Sequence, residues 1–173
     1  QAGTVTLEGV SFTTSPKARG HRGTGVVLSG PGEIVLRDVA FRRTITGRCL
    51  TSAISLDHEP RVRLERVQIE DHRCYLAGAL VVGAGAEVEI VGSLLEDNVG
   101  ELAGAIYVAG GALRIEGSVL RDNRHARGRG GHHLTFGPGP SRLELVATEL
   151  SPRGPGSVAF ERAPAGRSGA ACP

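Results

Sequence analysis

Apolar positions recur in this chain at one fixed spacing: two residues separated by one, then a third five residues after the second. The set occurs six times, as Val5, Leu7 and Phe12; Ile34, Leu36 and Phe41; Val62, Leu64 and Ile69; Val88, Ile90 and Leu95; Leu113, Ile115 and Leu120; and Leu143, Leu145 and Leu150. From set to set the offset is 29, 28, 26, 25 and 30 residues, while the internal spacing never changes. A rigid cassette joined by elastic connectors marks a solenoid, in which each turn stacks its apolar residues on its neighbours and loops absorb differences in length. A second element precedes the later cassettes: Val26 and Leu28, Ile54 and Leu56, Leu80 and Val82, Ile106 and Val108, Leu134 and Phe136. These pairs have the period of two expected of a strand with one buried face. Gly9, Gly92 and Gly117 recur after the second cassette residue, where a bend favours positive φ. Three short strands per turn, and connectors without helical periodicity, predict an all-β fold: a right-handed parallel β-helix of about six turns.

Length and composition fit this reading. The 173 residues suit one domain. Its solenoid is expected over 1–150, with a Pro/Gly-rich tail over 151–173 that caps the last turn through Val158 and Phe160 or docks on another subunit. The chain has 26 glycines and nine prolines but only four Phe, two Tyr and no Trp or Met, which suits a thin aliphatic core with many turns. A formal net charge of +2 gives no whole-chain attraction to nucleic acid or an anionic membrane. The scarcity of aromatic stacking platforms argues further against nucleic acid. No apolar run approaches the ~20 residues of a membrane helix. With neither an initiating Met nor a signal peptide, the chain reads as processed or trimmed.

Two phrases repeat in the middle of the chain, Gly78-Ala79-Leu80 with Leu95-Glu96-Asp97-Asn98, and Gly104-Ala105-Ile106-Tyr107 with Leu120-Arg121-Asp122-Asn123. They resemble the GGAI and FxxN repeats of β-helical surface proteins such as polymorphic outer-membrane proteins and autotransporter passengers. Ala103 stands where those repeats have a first glycine, and Leu where they have Phe. The resemblance implies a β-helix exposed at a cell surface. Stacked Asn98 and Asn123 are expected to satisfy backbone groups and each other as an asparagine ladder.

Candidate chemistry lies on outward positions and connectors. Arg63, Glu89, Arg114 and Glu144 fall in one outward column of alternating charge, flanked by Arg61, Glu87 and Arg142, which reads as a self-paired, solvated face. On the first strand the outward residues are expected to be Ala53 and Ser55, Ala79 and Val81, Ala105 and Tyr107, His133 and Thr135, a smooth stripe resembling a docking face. This stripe lacks the clustered carboxylates that a Ca²⁺-dependent lyase or a glycoside hydrolase requires. Basic residues gather in the connectors: Arg19 and Arg22; Arg42, Arg43 and Arg48; Arg73; and Arg124, Arg127 and Arg129. They form a candidate ridge for an anionic glycan, lipid headgroups or an acidic protein, interrupted at Val99-Gly100-Glu101. Adjacent His132 and His133 point to opposite faces of a strand, so no metal or other cofactor is expected.

Cys49 and Cys74 lie in successive connectors and read either as a disulfide between turns or as two unrelated small buried residues, with Cys172 left over. A bridge implies an oxidising compartment: periplasm, cell surface or outside the cell. The expected function is a non-catalytic structural or binding subunit of a surface or membrane-associated assembly, with a protein partner at a solenoid end or on the tail. The alternative is a polysaccharide-active enzyme, or its inactive remnant, acting on an anionic glycan through His72, Arg73, His133 and the basic loops.

Overall fold

The structure, a computed structural model, describes residues 3–13, 25–42, 51–127, 131–151 and 156–160. These residues wind into a right-handed parallel β-helix whose three main faces are six-stranded parallel sheets. The cassette sheet stacks Thr4–Glu8, Glu33–Arg37, Arg61–Glu65, Ala86–Val91, Gly111–Glu116 and Ser141–Val146. After a bend each rung continues into a second, shorter sheet, made of Ser11–Thr13, Ala40–Arg42, Gln68–Glu70, Leu94–Glu96, Val119–Arg121 and Glu149–Ser151. The entry sheet contains Val26–Ser29, Ile54–Asp57, Leu80–Val82, Ile106–Val108, Leu134–Phe136 and Val158–Phe160. A three-stranded ladder of Arg73–Cys74, Val99–Gly100 and Arg124–His125 forms an edge.

The register follows the repeat. Leu7, Leu36, Leu64, Ile90, Ile115 and Leu145 are successive partners, and so are Phe12, Phe41, Ile69, Leu95, Leu120 and Leu150. Burial follows the columns in the central rungs, where Leu64, Ile90, Ile115, Ile69 and Leu95 are wholly inaccessible. At the outer rungs a column has a neighbour on one side only, and Val5 is 64 % and Leu145 40 % exposed. Phe12 and Phe41 stack with ring centroids 4.7 Å apart, extending the aliphatic core with an aromatic pair. In the tail, Val158 and Phe160 pair with Leu134 and Phe136, so this segment adds a sixth strand to the entry sheet.

The bend after the cassette strand is a column of its own. Gly9, Gly92 and Gly117 have φ of 66°, 56° and 55°, and at the same corner Asp38, Arg66 and Ala147 have 54°, 50° and 46°. A left-handed backbone costs a non-glycine residue about 1–3 kcal/mol, so the surrounding structure must fix it. At Gly9, Asp38, Arg66, Gly92 and Gly117 the fixing bond is the same: the corner N–H donates to the next rung's carbonyl, as from Asp38 to Glu65 at 3.0 Å and from Arg66 to Val91 at 2.9 Å. Asp38 and Arg66 add a two-pronged ion pair across the corner, both contacts at 2.7 Å. Just beyond, Ser93 and Ser118 are buried, and each hydroxyl accepts the N–H of the preceding rung, Val67 for Ser93 and Ser93 for Ser118, both at 3.0 Å. Buried corner backbone groups are thus satisfied without water.

The entry sheet corrects one expectation. Ala53, Ala79 and Ala105 are buried members of the main core, and His133 in the same column is buried too. The cause is a break in alternation, because two consecutive N–H groups point the same way. Those of Ala79 and Leu80 both donate to the Ala105 carbonyl at 3.0 Å, and those of Ala105 and Ile106 both donate to the His133 carbonyl. A doubled residue of this kind turns the preceding side chain inward, as at a bulge. Ser55, Val81 and Thr135 do face outward, yet they are buried as well. Val81 lies beneath the chain's own connectors, packed with Ala77, Ala103, Leu76 and Tyr107. The connectors come this close because Gly104 has no side chain: a Cβ there would fall 1.8 Å from the His132 carbonyl oxygen. Over the central rungs the stripe is interior, and no docking face exists there.

Replacing Ile90 with Ala is expected to cost about 2–5 kcal/mol in urea unfolding, since the cavity would open between fully buried neighbours. Glu89→Ala, one residue away on the solvent face, is expected to cost about 1 kcal/mol or less. Equal losses at the two positions would contradict the register.

Candidate functional site

The outer face of the cassette sheet carries a concave feature, a trough of about 410 Å³. Val62, Val88 and Leu113, whose side chains alternation turns into the core, line its floor, and successive rungs supply charges to its walls. Glu33, Glu87, Glu89 and Glu144 stand against Arg61, Arg63, Arg114 and Arg142, so the lining is charge-balanced. The first outward column has the expected order. Arg63 binds Glu89, Arg114 lies 3.5 Å from Glu89 on its other side, and Arg114 also binds Glu144. The second outward column runs Glu33, Arg61, Glu87, Ala112, Arg142, with Arg61 and Glu87 3.1 Å apart. In the flanking column the Arg63 and Arg37 guanidiniums hydrogen-bond Glu65 and hold its carboxyl down at about 2.

Chemically this is a surface of fixed ion pairs. Glu87, Glu89 and Glu144 are each ion-paired with an arginine of a neighbouring rung. Each ladder pair is worth about 0.2–1 kcal/mol to the sheet. What distinguishes the trough is its dense array of fixed donors and acceptors. Its volume lies within the ~300–1,000 Å³ of small-molecule sites.

The basic connectors are only partly described. Arg19, Arg22, Arg43, Arg48, Arg129 and Cys49 lie outside the described residues. Arg42 is engaged by Glu70 at 3.5 Å and by the Gln68 side-chain oxygen at 2.7 Å, and Arg127 pairs with Glu101 at 2.7 Å. Arg73 and Arg124 are exposed and share a column of the edge ladder, with Val99 between them, so they stand two strand spacings apart, or about 10 Å. Asp71, Asp97 and Asp122 stand two residues before this column and outnumber its two arginines. The described part of the ridge is therefore a mixed edge and no continuous basic strip. Cys74 is buried and disulfide-bonded.

Of the three side chains offered to a sugar-processing site, only Arg73 reaches the surface. His72 and His133 are fully buried. His133 Nδ1 lies 3.3 Å from Asn123 Nδ2. His72 holds an asparagine position: its N–H donates to Asn98 Oδ1 at 3.2 Å, as the Asn98 N–H donates to Asn123 Oδ1 at 3.0 Å. Asn98 and Asn123 each donate Nδ2 to the carbonyl of a stacked residue, Ile69 and Leu95, at 2.8 Å. His72 Nε2 reaches the equivalent Phe41 carbonyl at 3.2 Å. Facing an acceptor, Nε2 carries the proton of a neutral ring. Asp71, Asp97 and Asp122 precede the three ladder residues with φ of 56°, 54° and 52°, the left-handed turn that aims each ladder side chain inward. Asp71-His72 is thus a third copy of the Asp-Asn phrase, hidden in the sequence by the change of residue type.

Burial lowers the His72 pKa below the ordinary 6.5. The unfolded chain then takes up a proton that the folded chain resists, so stability is full above about pH 6.5 and falls as the pH drops below it. Glu65 acts in a separate window, between its ordinary 4.5 and about 2. His72→Asn is expected to remove the decline in melting temperature between pH 7 and pH 5 while leaving the loss at lower pH. An unchanged profile would mean that His72 is not held neutral.

In comparisons with protein-family models, with curated proteins and with solved structures, nothing matches this chain.

Proposed function

We propose that the chain is a non-catalytic β-helix working outside the cytoplasm, as a structural or binding subunit of a surface or membrane-associated assembly. The observation that carries this reading is the cassette face, where the acidic groups of the trough stand among arginines instead of being set apart for proton transfer. The Cys74 disulfide supports an oxidising compartment. The Gly-Ala-Leu/Ile and Leu-x-Asp-Asn phrases, which resemble the GGAI and FxxN repeats of surface proteins, support the same setting. The turns they build, glycines beneath the connectors and asparagines in a ladder, are β-helix devices in their own right.

Two measurements test this reading. Peptide mapping without reductant is expected to recover Cys74 joined to Cys49; free thiols at both positions in protein isolated from its cells would remove the support for the compartment. Crosslinking and affinity purification of the tagged chain from its own cells is expected to recover a partner protein in the surface or envelope fraction. A lone monomer in the cytosol would overturn the reading.

A further inference from the structure

The second outward column of the cassette sheet contains a flaw in its charge order, and the trough opens at that flaw. Its sequence of charges runs negative at Glu33, positive at Arg61 and negative at Glu87; then comes neutral Ala112, followed by positive Arg142. A single charge placed over Ala112 meets a like neighbour whichever sign it has, Arg142 for a cation and Glu87 for an anion. Like charges directly across a ladder are unfavourable. Only a group with a donor on one side and an acceptor on the other satisfies both walls. The walls have capacity to spare: among the described residues Glu87 pairs with Arg61 alone, and the one ion pair of Arg142 is a 3.9 Å contact to Glu144, which Arg114 already binds. With four Glu against four Arg around it, the trough offers no net attraction to a charged polymer.

The geometry points to a binding site for a neutral glycan, with a sugar hydroxyl pair seated over Ala112, one hydroxyl donating to the Glu87 carboxylate and its neighbour accepting from the Arg142 guanidinium. Charge-assisted hydrogen bonds of this kind are stronger than neutral ones and fix orientation. The inference rests on the chain being a binding module. It narrows the ligand to a neutral sugar, where the basic connectors had suggested an anionic one.

The test titrates the whole chain with neutral cello-, malto- and xylo-oligosaccharides, and with an oligogalacturonate as the acidic probe. The Ala112 methyl resonance is followed by NMR, and affinity is measured by calorimetry at low and high salt. At least one neutral oligosaccharide should shift that methyl, with an affinity that salt changes by less than about twofold, because no net charge is neutralised. Ala112→Arg and Ala112→Glu should each weaken binding at least about tenfold, the worth of one good hydrogen bond to a charged group. A simple anion site would gain from the first substitution and a simple cation site from the second. Ala112→Gln fills the gap with its own donor and acceptor and should also abolish binding, which keeps the test decisive if a charged variant does not fold. No response to any neutral sugar, binding of oligogalacturonate alone, or undiminished affinity in a folded variant would overturn the inference. New reducing ends in the bound sugar would sink the non-catalytic reading while supporting the site. A partner protein recovered with no sugar response would do the reverse.

Discussion

Everything in this molecule depends on the rung-to-rung hydrogen bond of the parallel sheets. It fixes successive turns about 4.8 Å apart and in exact register, so each side chain has the equivalent residues of the turns above and below as its permanent neighbours. Interactions are therefore decided by columns. An aliphatic column becomes the core, as at Leu64, Ile90 and Ile115. A column of opposite charges becomes a solvated wall, as at Arg63, Glu89 and Arg114. Buried polar residues that a column repeats satisfy one another: Ser93 and Ser118 at one corner, Asn98 and Asn123 at the next.

The same rule accounts for residues that look out of place. Asp38 and Arg66 hold a left-handed backbone that glycine adopts freely, each fixed by its N–H bond to the next rung's carbonyl. His72 sits buried among asparagines because its Nε2 reaches the carbonyl that an amide would have reached. That substitution exchanges a group neutral at every pH for one that titrates, so acid sensitivity enters the fold through an otherwise passive turn.

Much of this was legible beforehand, and the limit of legibility has a physical form. The cassette columns, the Arg63 to Glu144 charge order and the Asn98–Asn123 pair could be read because strand alternation and a constant five-residue step carry one rung onto the next. The entry sheet could not be read so simply, because the doubled donors at Ala79 and Leu80 reverse the facing of the preceding residue. That kink depends on the next rung's carbonyl and on the glycine beneath the connector, neither of which a period of two reveals. Covering of Val81 by Ala77 and Ala103 was equally hidden, since it needs the path of the connectors. The trough at Ala112 lay between the two. Its column could be aligned from the repeat, but a small residue among charges draws no attention until the trough that it lines is known.

A solenoid's stability is close to a sum of contacts between neighbouring turns, so rigidity is graded along the axis. Among the described residues the outer rungs have a neighbour on one side only, and Val5 and Leu145 are exposed there. The middle rungs are held on both sides, and there Val62, Val88 and Leu113 floor the trough while their columns stay buried. A binding surface gains most from groups that need no ordering when the ligand arrives. The charged walls meet this condition where ladder partners already fix their rotamers, as Arg63 and Arg114 fix Glu89. Glu87 and Arg142 each have one ion-pair partner among the described residues, Arg61 and Glu144, and both line the trough beside Ala112. The flaw in the column thus lies where the central rungs meet the outer one, with Glu87 on a rung held from both sides and Arg142 on the Ser141–Val146 rung.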